Sequence, residues 1–201
     1  EILVVNNNSI EALKLLAKSF LAKGKIKNCR LYLSKVLALK SDDYEVIKDL
    51  GNLSQASGEF NIAKSFYTKA IEINSSYAPA LTNLGIIELN NGNQENALSL
   101  LIKATQCDPL LVPAWVNLAN GYLKLNKIEE AERSTRKAIT LNPDLADAHC
   151  NLGIILISQG KISESEAPLR RAIGLNPNMA DANLSLGNTL KELGKINEAE
   201  S

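Results

Sequence analysis

The sequence predicts an all-α solenoid of stacked helix pairs, and three observations carry that prediction. One pattern returns every 34 residues: a small residue at Ala17, Gly51, Gly85, Ala119, Gly153 and Gly187, each preceded by leucine (Leu16, Leu50, Leu84, Leu118, Leu152, Leu186). A loop position returns in the same frame at Gly24, Gly58, Gly92, Asn126, Gly160 and Gly194. Between these markers the apolar residues fall at helical spacing, with no alternating runs that would argue for strands. A fixed period of this length is the mark of repeat architectures, whose units bury their apolar faces only by stacking on neighbours.

The unit around Trp115–Tyr122 shows the physical content of each position. At about 100° per residue, Trp115, Leu118, Ala119 and Tyr122 share one helix face, while Pro113, Asn117, Asn120 and Lys124 share the other. The apolar face should pack on a second helix over Ile128–Leu141, which carries Ile128, Ala131, Thr135, Ala138, Ile139 and Leu141 at helical spacing. Small residues at Ala119, Ala131 and Ala138 let the two axes approach closely. Asn126 stands where the other units have glycine, in keeping with a left-handed residue that ends the first helix. The second helix repeats its own small positions at Cys29, Ala63, Ala97, Ala131, Ser165 and Ala199, then at Val36, Ala70, Ala104, Ala138 and Ala172. It ends at a breaker: Ser41, Ser75, Pro109, Pro143 or Pro177.

This grammar resembles the tetratricopeptide repeat (TPR) family over residues 10–201, and the 34-residue period is that family's own. The resemblance implies a right-handed α-solenoid of helix-turn-helix units forming one continuous domain. The frame divides into residues 10–43, 44–77, 78–111, 112–145 and 146–179, with a partial sixth unit at 180–201. Residues 1–9 fall where a preceding second helix would end, with Ile2, Leu3 and Val5 in the places of Ala138, Ile139 and Leu141. They lack the basic start and long apolar core of a signal peptide. With no initiator Met and a stop midway through a second helix, the expectation is a piece of a longer array. The second unit is the most aromatic, with Phe60, Phe66 and Tyr67. Pro168 lies well inside a second helix, where it removes a backbone bond, and predicts a kink or a 3₁₀ turn near Glu164–Pro168.

Composition narrows the function classes. The 22 basic and 22 acidic side chains cancel, which argues against a nucleic-acid or anionic-membrane binder. Apolar stretches such as Gly153–Ile157 are too short to span a bilayer. The three cysteines form no C-x-x-C and are odd in number, so a reducing, cytoplasmic compartment is expected rather than a disulfide scaffold. Cys29 and Cys107 read as buried small hydrophobes. The single histidine, His149, occupies the place of Trp115 and reads as a packing residue. No catalytic constellation, metal-ligand cluster or cofactor motif is found, and Ser163 and Ser165 lack a base. Sequons at Asn52 and Asn183 fall on expected helices. A monomeric, non-enzymatic protein is expected, apart from end-to-end contacts of a cut array.

The informative residues face away from the core. One row carries Asn83, Asn117 and Asn151; a second alternates Asn52, Ile86, Asn120, Ile154 and Asn188. An amide side chain both donates and accepts, so such a row can bond the backbone of an extended peptide while the isoleucines give apolar contacts. The rows are similar to the asparagine ladder of O-GlcNAc transferase-type TPR arrays. That likeness implies a scaffold binding a partner's peptide segment, with Asn52, Asn83, Ile86, Asn117, Asn120, Asn151, Ile154 and Asn188 as contacts. Alternatives are the substrate-recruiting arm of a larger glycosyl- or sulfotransferase, and a chaperone-tail-binding co-chaperone. For the last, Lys48, Asn52 and Asn83 match a carboxylate clamp, but Pro113 and Asn117 stand where its cations belong, so the charge-assisted bonds would be missing.

Overall fold

The computed structural model describes residues 9–195. Among them are eleven α-helices and no strand: α1 (Ile10–Ala22), α2 (Ile26–Leu39), α3 (Tyr44–Ala56), α4 (Phe60–Ile73), α5 (Ala78–Asn90), α6 (Gln94–Cys107), α7 (Val112–Lys124), α8 (Ile128–Leu141), α9 (Ala146–Ser158), α10 (Ile162–Leu175) and α11 (Ala180–Glu192). None is long and apolar enough to cross a membrane. Odd-numbered helices run 13 residues and even-numbered ones 14. Residues 1–8, which hold most of the expected preceding helix, and 196–201, with the second helix of the sixth unit, fall outside the described residues.

The turn within each pair follows from one backbone requirement. Asn126 has φ of 56°, and the glycines in its place have φ between 67° and 81°. In this left-handed region a Cβ is strained and glycine is not, while asparagine is tolerated through its short polar side chain. At the pair ends, Asn74, Asp108 and Asn142 each accept at their side-chain oxygen from the backbone N–H two residues on. That local bond turns the chain into the next first helix.

Chain packing divides into two compact units, Glu1–Ile87 and Glu88–Ser201, with the division inside α5. In the first unit α1 packs on α2, α2 on α3 and α3 on α4. Its aliphatic core joins Leu13, Ala17, Cys29, Leu33, Val36, Val46, Leu50 and Leu53. A second cluster of Ile47, Ala70 and Ala80 is covered by Tyr44 and Tyr77, whose rings meet edge-on at 4.8 Å. In the second unit α6 packs on α7, α7 on α8, α8 on α9, α9 on α10 and α10 on α11. Its cores include Leu89, Ala97, Leu98, Leu101 and Leu118 at one place and Cys150, Ala172 and Ala182 at another.

Close approach explains two of the small residues. A Cβ on Gly51 would lie 2.6 Å from the Tyr67 ring, and one on Gly153 would lie 2.5 Å from Leu169 Cγ. Both partners are fully buried. Where the first helix carries Ala119, the partner position holds the smaller Thr135, also buried.

Two expectations are corrected. Cys107 is exposed, not buried. It is the last residue of α6, and the matching Leu39 and Ile73 at the ends of α2 and α4 are also exposed, so this position lies beyond the reach of the neighbouring helix. Pro168 produces no 3₁₀ turn: α10 is α-helical from Ile162 to Leu175. The carbonyl that loses its donor is that of Glu164, an exposed residue whose backbone water can serve.

Candidate functional site

The expected contact residues come together as pairs within each unit, not as free-standing amides. In the first unit Asn52 on α3 and Asn83 on α5 meet: Asn83 Nδ2 donates to Asn52 Oδ1 at 2.8 Å. Beneath them Tyr67 of α4 is fully buried, and its hydroxyl lies 2.9 Å from Asn52 Oδ1 and 2.8 Å from Gln55 Oε1. A phenol has one proton to give. Turning the Gln55 amide over lets its Nε2 donate to the phenol oxygen while the phenol donates to Asn52, which satisfies both contacts. Burial pushes the Tyr67 hydroxyl up to about 12, so it stays a donor at any physiological pH.

Two grooves open on this cluster. One, of about 530 Å³, is lined by Asn52, Gln55, Ala56, Phe60 and Asn83. The other, of about 600 Å³, lies between α1 and α3 over α2, with Ala17, Leu21, Leu33 and Leu53 among its apolar walls and Lys14, Lys18 and Lys48 among its polar ones. Asn52 lines both. Phe60 is the first residue of α4 and 52% exposed, an unusual placement for an aromatic ring. Sequence reasoning does not reach Gln55, Phe60 or Tyr67 as contacts. A signal is present for Tyr67, which stands where other units have Leu33, Leu101, Thr135 and Leu169.

The charges here are mostly spoken for. Lys14 Nζ lies 2.8 Å from the buried carboxylate of Asp43 and 3.8 Å from Glu45. Burial pushes the Asp43 carboxyl up, but the bonds from Lys14 and from Val46 N outweigh it, and the net shift is downward. The hydrogen bond to Asp43 likewise holds Lys14 above the ordinary lysine value. Lys48 Nζ binds the neighbouring Asp49 at 2.5 Å.

In the second unit Asn151 Nδ2 of α9 donates to Asn120 Oδ1 of α7 at 3.1 Å, the same offset of 31 residues that joins Asn83 to Asn52. Asn117 is not in this pairing; its Nδ2 donates back to Pro113 O at 2.8 Å on its own helix. Ile86 is half-buried, Ile154 is 38% exposed and Asn188 is exposed. A periodic tether that sequence reasoning misses ties each pair to the next. Trp115 Nε1 donates to Pro109 O at 2.9 Å, and Asn183 Nδ2 donates to Pro177 O at 3.0 Å. His149 Nε2 lies 2.9 Å from Pro143 O, so that nitrogen carries its proton. The prolines therefore stop one helix and also anchor the next through their carbonyls. Among the described residues no group of three or more His, Cys, Asp or Glu side chains could hold a metal ion.

Three family models described as tetratricopeptide repeat match the chain, over residues 112–145, 66–99, and 49–77 with 146–179. The chain belongs to the tetratricopeptide repeat family. Its fold is accordingly an all-α helical-repeat solenoid, as in solved structures that resemble it. Pseudomonas aeruginosa pilF matches with a TM-score of 0.85 at 20% identity, over 94% of this chain and 86% of that one. YrrB, described as a TPR protein with an unusual peptide-binding site, matches at 0.71 and 23% identity, over 83% and 86%. The thermophilic TPR protein TTC0263 of Thermus thermophilus matches at 0.66 and 20% identity, over 91% and 100%. No curated protein sequence matches the chain. In TPR terms, the paired asparagines lie on the first helices of successive repeats.

Proposed function

We propose that this TPR array is a protein-interaction scaffold, without catalytic activity of its own, that holds extended partner segments against its asparagine pairs. The observation that carries the reading is the repeated pair. Asn52 with Asn83, and Asn120 with Asn151, share one offset and one donor direction. Each pair engages one N–H and one carbonyl oxygen. The Nδ2 group of one asparagine and the Oδ1 of the other keep capacity side by side, matching the C=O and N–H of a peptide backbone. Pairing also fixes the amides in place, so less side-chain entropy is lost on binding.

In the first unit, Asn52, Asn83 and Ile86 act with Gln55 and Phe60, and the adjoining grooves take apolar side chains of the segment. In the second, Asn117, Asn120, Asn151, Ile154 and Asn188 act. That YrrB has a peptide-binding site on the same fold supports the reading. A grip on a terminal carboxylate is disfavoured, because Lys48 is engaged by Asp49 and Asn117 is folded back on Pro113.

The test is a triple variant, Asn83→Ala with Asn117→Ala and Asn151→Ala, assayed against linear peptides selected on the wild-type protein. Helical circular dichroism should be unchanged and affinity should fall by about tenfold or more, the scale of one or two lost hydrogen bonds. Full affinity in a folded triple variant would overturn the proposal.

A further inference from the structure

An ion pair recurs between the second helix of one repeat and the turn of the next, always 29 residues on. In the first unit Arg30 Nη2 meets Glu59 Oε2 at 2.9 Å. In the second, Glu132 Oε2 lies 3.8 Å from Lys161 Nζ, and Glu166 Oε2 lies 2.8 Å from Lys195 Nζ. The second unit has the same register once more, at Leu98 and Lys127. There the acid is replaced by leucine. Among the described residues no carboxylate meets Lys127, nor the nearby Lys103.

At that place the surface opens into a groove of about 790 Å³ whose walls include Leu98, Ile102 and Leu125, with Lys103, Lys127 and Glu95 also lining it. Leu98 is 7% exposed and belongs to the core, so it forms the floor. The lining carries two cations and one anion. None of the paired asparagines lines it.

We propose that this groove docks a partner segment in which acidic and aliphatic residues alternate. One carboxylate takes the place on Lys127 that Glu132 and Glu166 fill on Lys161 and Lys195, and an aliphatic side chain packs on Ile102 and Leu125. Charge complementarity selects the acid: a lysine whose equivalents Lys161 and Lys195 are paired is left open. The apolar floor selects a segment over a bare anion, which would gain nothing from Leu98. This surface is separate from the asparagine pairs, so it stands or falls independently of them.

The experiment is fluorescence anisotropy with a fluorescein-labelled peptide Gly-Ser-Glu-Leu-Glu-Ile-Gly-Ser and its counterpart with both Glu replaced by Gln. The acidic peptide should bind saturably, and more weakly as salt is raised. The Gln peptide, and the variants Lys127→Gln and Leu98→Glu, should each lose about tenfold in affinity, since each removes the charge-assisted bond. Lys161→Gln, whose partner is Glu132, should bind as wild type. If Leu98→Glu fails to fold, the exposed Lys127→Gln still decides. No saturation by the acidic peptide, or equal binding by Lys127→Gln, overturns the proposal. So does loss of binding in the triple asparagine variant, which would move the peptide to the amide pairs. A dimer in sedimentation that Lys127→Gln abolishes, with no peptide bound, would give the groove to a second copy and also overturn it.

Discussion

Gly153→Ala separates helix propensity from packing, because the two predict opposite signs. Propensity alone favours alanine over glycine in mid-helix by about 1 kcal/mol. The structure opposes this: the new Cβ would sit 2.5 Å from both Cδ2 and Cγ of Leu169 and 3.3 Å from Cδ1. Comfortable carbon contacts lie near 3.5–4.0 Å, so Leu169 must retreat by about 1 Å. The crowded atoms include the branch point, and the side chain is fully buried, so no rotamer swings it into water. Overpacking of this kind costs about 1–3 kcal/mol. The net expectation is a loss of up to about 2 kcal/mol once propensity is subtracted, or up to several degrees in Tm for a chain of this size. Leu169→Ala alone should cost about 2–5 kcal/mol as a buried cavity. In the double variant the new methyl fills part of that cavity, so the pair should lose less than the sum by about 1 kcal/mol or more. Urea unfolding of the four proteins, followed by circular dichroism with the midpoint and slope compared, measures this cycle. A Gly153→Ala stabilised by the full propensity gain, or strict additivity, would refute the packing argument.

Three further outcomes are expected. Asp43 is held below its ordinary pKa, so its contribution to stability is present above the unfolded carboxyl value near 3.8 and is lost as pH falls through the lower folded value. Lys14 is the reverse, contributing below about 10.5 and losing that contribution as pH rises through its raised folded value. Asp43→Ala should show neither dependence in urea midpoints against pH. It should also cost about 1 kcal/mol more than Asp43→Asn, which keeps a cap for Val46 N. Tyr67 and Tyr77 are both raised by burial to about 12, and Tyr122 is raised as well, so ultraviolet titration should show late tyrosines, one of them missing in Tyr67→Phe. Folding stability should decline above about pH 10 as the unfolded phenols ionise first. Trp115→Phe keeps an aromatic ring, though a smaller one, and removes the bond to Pro109 O, with an expected loss of about 1 kcal/mol or more in urea unfolding.

What the sequence made legible is what the period repeats. Helix pairs, the left-handed turn residue and the small positions of closest approach each recur five or six times, so one unit checks another. Asn126 in a glycine place was readable because glycine and asparagine answer the same backbone demand. The end of a second helix was not: Cys107 has the composition of a core residue, and only the geometry of the final turn shows that no neighbour reaches it. The asparagines were visible as two rows one period apart, but the bonds join one row to the other at an offset of 31, which belongs to stacking between repeats. The same applies to the proline carbonyls, legible as breakers but not as acceptors for Trp115 and His149.

Beside the repeated asparagine pairs, the individual character of this chain lies in its departures from the period, because most of the period serves stacking. Tyr67 departs from leucine and brings a hydroxyl under Asn52; Leu33, Leu101 and Leu169 have none to bring, and the Thr135 hydroxyl is buried without a partner. Leu98 stands where every matching residue is charged, as Arg30, Lys64, Glu132 and Glu166, and leaves Lys127 open beside an apolar floor. Neither change is needed to build a helix pair, and each has a cost. A buried phenol needs its acceptor, and an exposed groove forfeits an ion pair and keeps apolar surface in water. If these residues serve only stacking, Tyr67→Leu and Leu98→Glu should change stability and leave binding alone; Leu98→Glu carries the larger stability cost, because Leu98 belongs to the core. If both stay folded while peptide affinity falls in the first and acidic-peptide affinity falls in the second, the two departures are the recognition surfaces of this array.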